Sequence, residues 1–228
     1  MANPNLSLLL ALAHALGHLR ERVVFVGGCV TGLLVTNPVV TDVRSTEDVD
    51  SIIEIASLAG YHALRPELAK LGFTQTIEDN TPPSLWLREG MQLDLVPLDE
   101  KVLGFANVWY RTGFANAILS EPEPGSRLKH LSAPYFLATR FEAYKDRGRN
   151  DVYASHDLED IIAVVDGRAE LYDELTQASA DVKAYVVSNI HALMEHPEIT
   201  NAMSGIVLRP IRVPVVLQRL RAIAKIGN

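Results

Sequence analysis

A chain of 228 residues can bury one good core, or the core of a catalytic domain plus a helical one. Its 48% hydrophobic and 21% charged residues are those of an ordinary soluble globular protein, and no run approaches the roughly 18 apolar residues that span a membrane. A net charge of −7 gives no global attraction to nucleic acid, so RNA binding would need a local basic patch, and a single cysteine rules out an intramolecular disulfide and suits a reducing cytoplasm.

Asn5 to Glu21 reads as an amphipathic helix, with Leu9, Leu12, Leu16 and Leu19 near helical spacing. It lacks a basic leader and a small-residue cleavage site, so it is expected to be a first helix packed on a sheet. Arg22 to Val26 is a β-branched and aromatic run of strand type, followed by Gly27-Gly28 and a helix from Cys29 to Val35. A loop carries Arg44, Ser45 and Thr46. Glu47 to Ile53 alternates as a second strand, so Asp48 and Asp50 point to one face while Val49 points into the core. Two parallel carboxylates repel unless something positive lies between them, and a divalent metal pair fits that need. The paired glycines let a phosphate approach the backbone, and the helix after them offers free N–H groups. Cys29 follows the glycines but has no general-base partner evident in sequence, so it is expected to be inert.

Leu58 to Leu71 reads as helix interrupted at Pro66, with Gly72 suited to end it. A short strand is expected over Phe73 to Ile77 and a turn over Glu78 to Pro83. Ser84 to Arg88 and Met91 to Leu98 then form a hairpin around Glu89-Gly90. Asp94 lies inside its second strand, where aspartate is disfavoured; it reads either as an exposed edge residue or as a functional carboxylate, with Asp99 as the weaker substitute. Gly104 to Leu119 reads either as a helix broken at Gly113 or as strands framing a loop. Glu121 to Gly125 is a breaker cluster and the expected boundary between a domain of residues 1–125 and one of residues 126–228.

The second half reads as helical: Pro134 to Arg147, a helix capped by Ser155, then Arg168 to Thr176, Ser179 to Glu195 and Val213 to Ile226. Asp157 and Asp160 share a face of the Ser155 helix. Residues 201–228 hold Arg209, Arg212, Arg219, Arg221 and Lys225 and no acid, the largest acid-free basic stretch and hence the place for phosphate contacts with a polynucleotide. The competing reading is a solvated helix face with a basic end favoured by the dipole.

Gly27-Gly28 followed by Asp48-Val49-Asp50 resembles the signature of the DNA polymerase β-like nucleotidyltransferase superfamily. Within it, Arg44-x-Thr46-x-Asp48-Val49-Asp50 is similar to the arginine-threonine version in the AbiEii-type toxin family of bacterial toxin–antitoxin systems. The similarity extends to Leu137-Ala138-Thr139-Arg140 and Asp157-Leu158-Glu159-Asp160, so it covers roughly residues 22 to 166. Arg140 stands where that family usually has lysine, with Lys145 as the alternative cation. The interval between Gly-Gly and Asp-x-Asp is longer than is usual for the superfamily, so an extra turn is expected around Asn37 to Asp42.

The resemblance implies an α/β (α+β) fold, a small mixed sheet of nucleotidyltransferase type with flanking helices followed by a helical C-terminal domain. It implies transfer of a nucleoside monophosphate from an NTP, with two Mg²⁺ ions (or Mn²⁺) on Asp48, Asp50 and Asp94. Nucleotide contacts would come from Gly27, Gly28, Thr46, Arg140, Lys145 and Asp157. An RNA acceptor such as a tRNA end, and a toxin role with a separate antitoxin, follow from the same resemblance. Two other readings stay open: a small-molecule nucleotidyltransferase of the aminoglycoside-modifying type, and an inactive scaffold that only binds a partner.

Overall fold

The computed structural model describes residues 3–37, 39–40, 43–75, 81–148 and 150–227. It is mixed α/β, with a six-stranded mixed sheet, flanking helices, and further helices toward the C-terminus. The chain divides into two compact units. One holds Pro4–Val30 and Ser45–Ser132, and the other Met1–Asn3, Thr31–Arg44 and Ala133–Asn228.

The first unit is built on the sheet. Helix α1 (Leu6–Ala15) buries Leu9 and Leu12 completely, and a 3₁₀ turn over Gly17–Arg22 leads to β1 (Val23–Val26). The single helix expected over residues 5–21 is thus broken at Gly17, whose φ of +53° an α-helix cannot hold. All of β1 is buried, as its unbroken apolar run requires. Helix α2 (Gly28–Leu34) follows and crosses the division between the units. Strand β2 (Asp48–Ile53) pairs antiparallel with β1.

Helices α3 (Leu58–Ala63) and α4 (Arg65–Lys70) replace one long helix, because Pro66 must sit at a helix start. Ser57 caps α3 by accepting from the Gly60 N–H, and Gly72 (φ +84°) turns the chain out of α4. Strands β3 (Leu85–Arg88) and β4 (Met91–Pro97) form the expected hairpin. Glu89 and Gly90 both have positive φ, the two-residue turn whose twist matches the strands. Of the strand expected over residues 73–77, Thr74 forms a bridge with Leu87. Thr76, Ile77 and residues 78–80 of the next turn lie outside the described residues, as do Pro38, Thr41 and Asp42 of the extra loop.

Short helices α5 (Glu100–Leu103) and α6 (Tyr110–Ala115) precede β5 (Ile118–Ser120) and β6 (Leu128–His130). Strand order is β3-β4-β2-β1-β6-β5, with β2–β4 and β1–β6 parallel and the other pairs antiparallel. Because β6 pairs with both β1 and β5, the chain stays with the sheet unit to Ser132, past the breaker cluster at Gly125.

Tyr61 anchors α3 to the sheet. Its hydroxyl donates to the carbonyls of Pro83 and Leu95, at 3.2 and 3.1 Å, and Trp86 Nε1 donates to it at 3.2 Å. Burial, offset in part by the Trp86 hydrogen bond and reinforced by the Asp94 charge, pushes its pKa up to about 12. The unfolded value is near 10, so the neutral hydroxyl contributes roughly 2–3 kcal/mol below pH ~10, lost as pH rises toward ~12. Tyr61→Phe removes that dependence. Its stability deficit in urea unfolding is expected to be largest near pH 8 and to shrink by about pH 11. A constant deficit would show that Tyr61 ionises as freely folded as unfolded.

In the second unit, α7 (Ala133–Asp146) buries Tyr135, Phe136, Leu137, Ala138 and Phe141 and packs on α8 (His156–Gly167), α9 (Leu171–Gln177) and α10 (Ala180–Glu195). Ser155 caps α8 by accepting from the Leu158 N–H. Arg149, in the loop before it, lies outside the described residues. Helix α11 (Ile199–Ile206), which the sequence reading did not anticipate, and α12 (Val213–Ile223) complete the unit. No helix among the described residues is long and apolar enough to cross a membrane.

Candidate functional site

In the sheet unit, the strands bring three carboxylates to one face at neighbouring levels. Parallel pairing sets Asp50 opposite Asp94 and Asp48 opposite Gln92. Asp48 is exposed at the start of β2, Asp50 is half-buried, and the Val49 between them is fully buried. Asp94 is half-buried between Leu93 and Leu95, both in the core. The Ser51 hydroxyl donates to the Asp94 carbonyl at 3.2 Å and fastens the two strands beside the carboxylates.

Antiparallel pairing sets Val26 opposite Asp50, so the turn after β1 meets the Asp50 side chain. Gly27 has φ +74°, and a Cβ there would lie 1.8 Å from Asp50 Oδ2. Glycine is required twice over, by the left-handed backbone and by the carboxylate packed against its α-carbon. The sequence reading attributes the pair Gly27-Gly28 to phosphate approach. The structure adds that the space beside the first glycine belongs to Asp50, and that the positive φ falls at Gly27 and not at Gly28. Cys29 is buried and its thiol donates to the Val26 carbonyl at 3.1 Å.

The Thr46 hydroxyl donates to Asp48 Oδ1 in a short hydrogen bond, which fixes the carboxylate at the head of β2. The Thr46 N–H donates to Asn5 Oδ1 at 2.9 Å, and Asn5 Nδ2 donates to the Gly28 carbonyl at 3.5 Å. Asn5 is only 1% exposed. Sequence reasoning missed it, because it takes Asn5 as the first residue of the opening helix and no local pattern shows its tertiary partners.

In the other unit, Arg140 is 5% exposed on α7. Its guanidinium reaches Asp157 Oδ1 at 2.7 Å and Asp160 Oδ2 at 3.1 Å. Arg147 grips Asp157 through both oxygens, at 2.8 and 2.9 Å. Asp160 also accepts from the Thr31 hydroxyl at 3.1 Å and lies 3.5 Å from Arg44 Nη2. Burial pushes the Asp157 carboxyl up, but the Arg147 hydrogen bonds and the charges of Arg140 and Arg147 outweigh it and hold the pKa below the usual carboxylate range. Lys145 points elsewhere: its ammonium donates to the Tyr185 hydroxyl at 3.0 Å and sits 4.5 Å from that ring's centre. Arg147 was not singled out from sequence. The available signal was its place about two helical turns after Arg140, which puts both on one face.

The basic C-terminal stretch is partly committed to structure. Arg212 holds the Asp166 carboxylate, and Arg219 Nη1 donates to the carbonyls of Val165, Asp166 and Arg168 at 3.0, 2.8 and 3.2 Å. These two arginines satisfy the end of α8, where helical carbonyls lack partners. Arg221 and Lys225 are exposed. A charge reversal at Arg219 is therefore expected to lower stability as well as any affinity for phosphate. Arg221→Glu, which touches none of those carbonyls, should leave the melting temperature within about 2 °C of wild type, as a surface change of under about 0.5 kcal/mol does.

Mg²⁺ is commonly held by one or two carboxylates together with substrate phosphates and water. Asp48 and Asp50, on one strand face, suit that coordination. Among the described residues no three or more His, Cys, Asp and Glu side chains are grouped as ligands of a single ion. No protein-family model matches the chain, and no curated protein matches it at a significant level.

Proposed function

We propose that the protein is a nucleotidyltransferase, working in the cytoplasm, that moves a nucleoside monophosphate from an NTP to a hydroxyl acceptor and releases pyrophosphate. The observation that carries this reading is the Asp50 carboxylate seated against the Gly27 α-carbon, with Asp48 on the same strand face and Asp94 at the same level of the adjacent strand. A purely structural sheet has no use for three carboxylates on one face, where they repel one another.

In this reading Asp48 and Asp50 would hold Mg²⁺, which would neutralise phosphate charge. Thr46 keeps the Asp48 carboxylate aimed. Backbone N–H groups at Gly27 and Gly28 bind phosphate oxygens. Asp94 would help hold an ion near the attacking hydroxyl and favour its deprotonation, the proton passing to water. The acceptor oxygen forms a bond to the α-phosphorus, the bond from that phosphorus to the bridging oxygen breaks, and pyrophosphate leaves with the electron pair. Positioning and charge stabilisation supply most of the rate.

The similarity to AbiEii-type toxins extends the reading to RNA, with a tRNA end as the acceptor and an antitoxin protein as partner. The test is incubation with each labelled NTP, Mg²⁺ and total RNA. Transfer of label from one NTP to RNA is the expected result. Label found only on a small hydroxylated molecule would move the acceptor to the aminoglycoside-type class. No transfer from any NTP would leave a scaffold that binds a partner.

A further inference from the structure

We propose that Asn5 is a positioning residue for the triphosphate site, a clamp that fixes the Gly27-Gly28 turn relative to the Thr46–Asp48 segment. This rests on the nucleotidyltransferase reading. Asn5 precedes α1 at the position where an asparagine oxygen normally accepts from an N–H of the first helical turn. Its side chain makes no such bond. It is turned inward, 1% exposed, with its oxygen on the Thr46 N–H at 2.9 Å and its nitrogen toward the Gly28 carbonyl at 3.5 Å.

Those two contacts join the segments that continue β1 and β2 beyond their antiparallel pairing. Thr46 carries the hydroxyl bonded to Asp48, and Gly28 directly follows the glycine packed on Asp50. The amide is suited to the task because one end accepts and the other donates, and the two segments present an N–H and a carbonyl respectively. A carboxylate would satisfy Thr46 but repel the Gly28 carbonyl, and an aliphatic side chain would satisfy neither. Helix α1 is thereby tied to the site without contributing a reacting group. Residues that orient binding groups from behind often change affinity about 10–100-fold when removed.

Two variants, Asn5→Ala and Asn5→Asp, separate the two arms of the clamp. Binding of inorganic pyrophosphate with Mg²⁺, measured by calorimetry, reads the phosphate site directly and needs no turnover. Both variants are expected to bind pyrophosphate about 10–100-fold more weakly and to raise the KM for NTP in step, with the KM for the acceptor unmoved. Amide hydrogen exchange at Thr46 is expected to speed up in Asn5→Ala and to stay slow in Asn5→Asp, which keeps the acceptor oxygen. An Asn5→Ala protein that melts lower but binds pyrophosphate as wild type does would show a merely structural asparagine and overturn the proposal. If Asn5→Ala does not fold, wild-type pyrophosphate affinity in folded Asn5→Asp overturns it equally. Wild-type protein that transfers no nucleotide and binds no pyrophosphate brings down the nucleotidyltransferase reading, and the positioning role with it. Active wild type with unaltered Asn5 variants removes the positioning role alone.

Discussion

Asp50→Ala is expected to abolish nucleotide transfer, lowering kcat by at least about a thousandfold, as loss of a central charge-stabilising group does. Without Mg²⁺ the variant is expected to melt no lower than wild type. Asp48, Asp50 and Asp94 share one face of β2 and β4, and removing one member of a repelling set relieves the unliganded protein. Saturating Mg²⁺ and NTP should stabilise wild type by about 3 kcal/mol at a hundredfold excess over Kd, and stabilise Asp50→Ala far less. Full activity in the variant would end the metal assignment, and an equal ligand-induced rise in Tm would place the ions elsewhere.

The same carboxylate couples to Gly27, which gives a test independent of activity. Gly27→Ala puts a methyl group 1.8 Å from Asp50 Oδ2 on a backbone with φ +74°. The backbone alone costs about 1–2 kcal/mol for a residue with a side chain, and the collision adds to that. Asp50→Ala removes the collision but not the backbone cost. In a double-mutant cycle the combined variant should therefore be less destabilised than the sum of the singles, by roughly 0.5–3 kcal/mol. Additivity would mean that Asp50 does not lie against Gly27 in solution.

Much of this architecture is legible in the residues, because local chemistry and tertiary fold agree over most of the chain. The run Val23–Val26, the alternation of Asp48–Ile53 and the hairpin turn at Glu89-Gly90 are each legible from local pattern. The departures have physical causes. Strand β6 is three residues long and owes its place to pairing on both sides, which the breaker cluster before it does not encode. Helix α11 lies between Pro197 and Pro210, and Gly205 inside it weakens the helical pattern.

The site divides in the same way. That Asp48 and Asp50 share a face follows from the period of a strand, but that Asp94 pairs with Asp50 depends on a parallel register no local pattern encodes. Whether a glycine serves a phosphate or a neighbouring carboxylate likewise depends on what packs against it, which is why Gly27 reads differently in three dimensions. Asn5 acts through tertiary hydrogen bonds that override its local preference for capping.

Arg140→Ala is expected to destabilise the protein by about 3–5 kcal/mol at neutral pH, the cost of leaving buried carboxylates without their partner. Asp157 and Asp160 are 3% and 1% exposed, and the Arg140 guanidinium touches both. Arg147 and Arg44 remain in the variant, but the Arg147 side chain is 67% exposed and Arg44 stands 3.5 Å from Asp160, so neither replaces the enclosed charge. Arg140→Lys should recover only part of the loss, because an ammonium cannot fork between two carboxylates. The pH dependence has a definite sign. The folded pKa of Asp157 is depressed, so its contribution is fully present above the unfolded value near 3.9 and is lost as pH falls through the folded value. In Arg140→Ala burial is less opposed and the Asp157 pKa moves up, so protonation relieves the stranded charge. The stability gap between wild type and variant, from urea unfolding, should therefore be widest near pH 7 and narrow toward about pH 3. This measurement also decides what Arg140 is for. A gap that closes on acidification makes it the counter-charge of Asp157. An Arg140→Ala protein with wild-type stability at every pH but no affinity for NTP would make Arg140 a cation of the triphosphate instead.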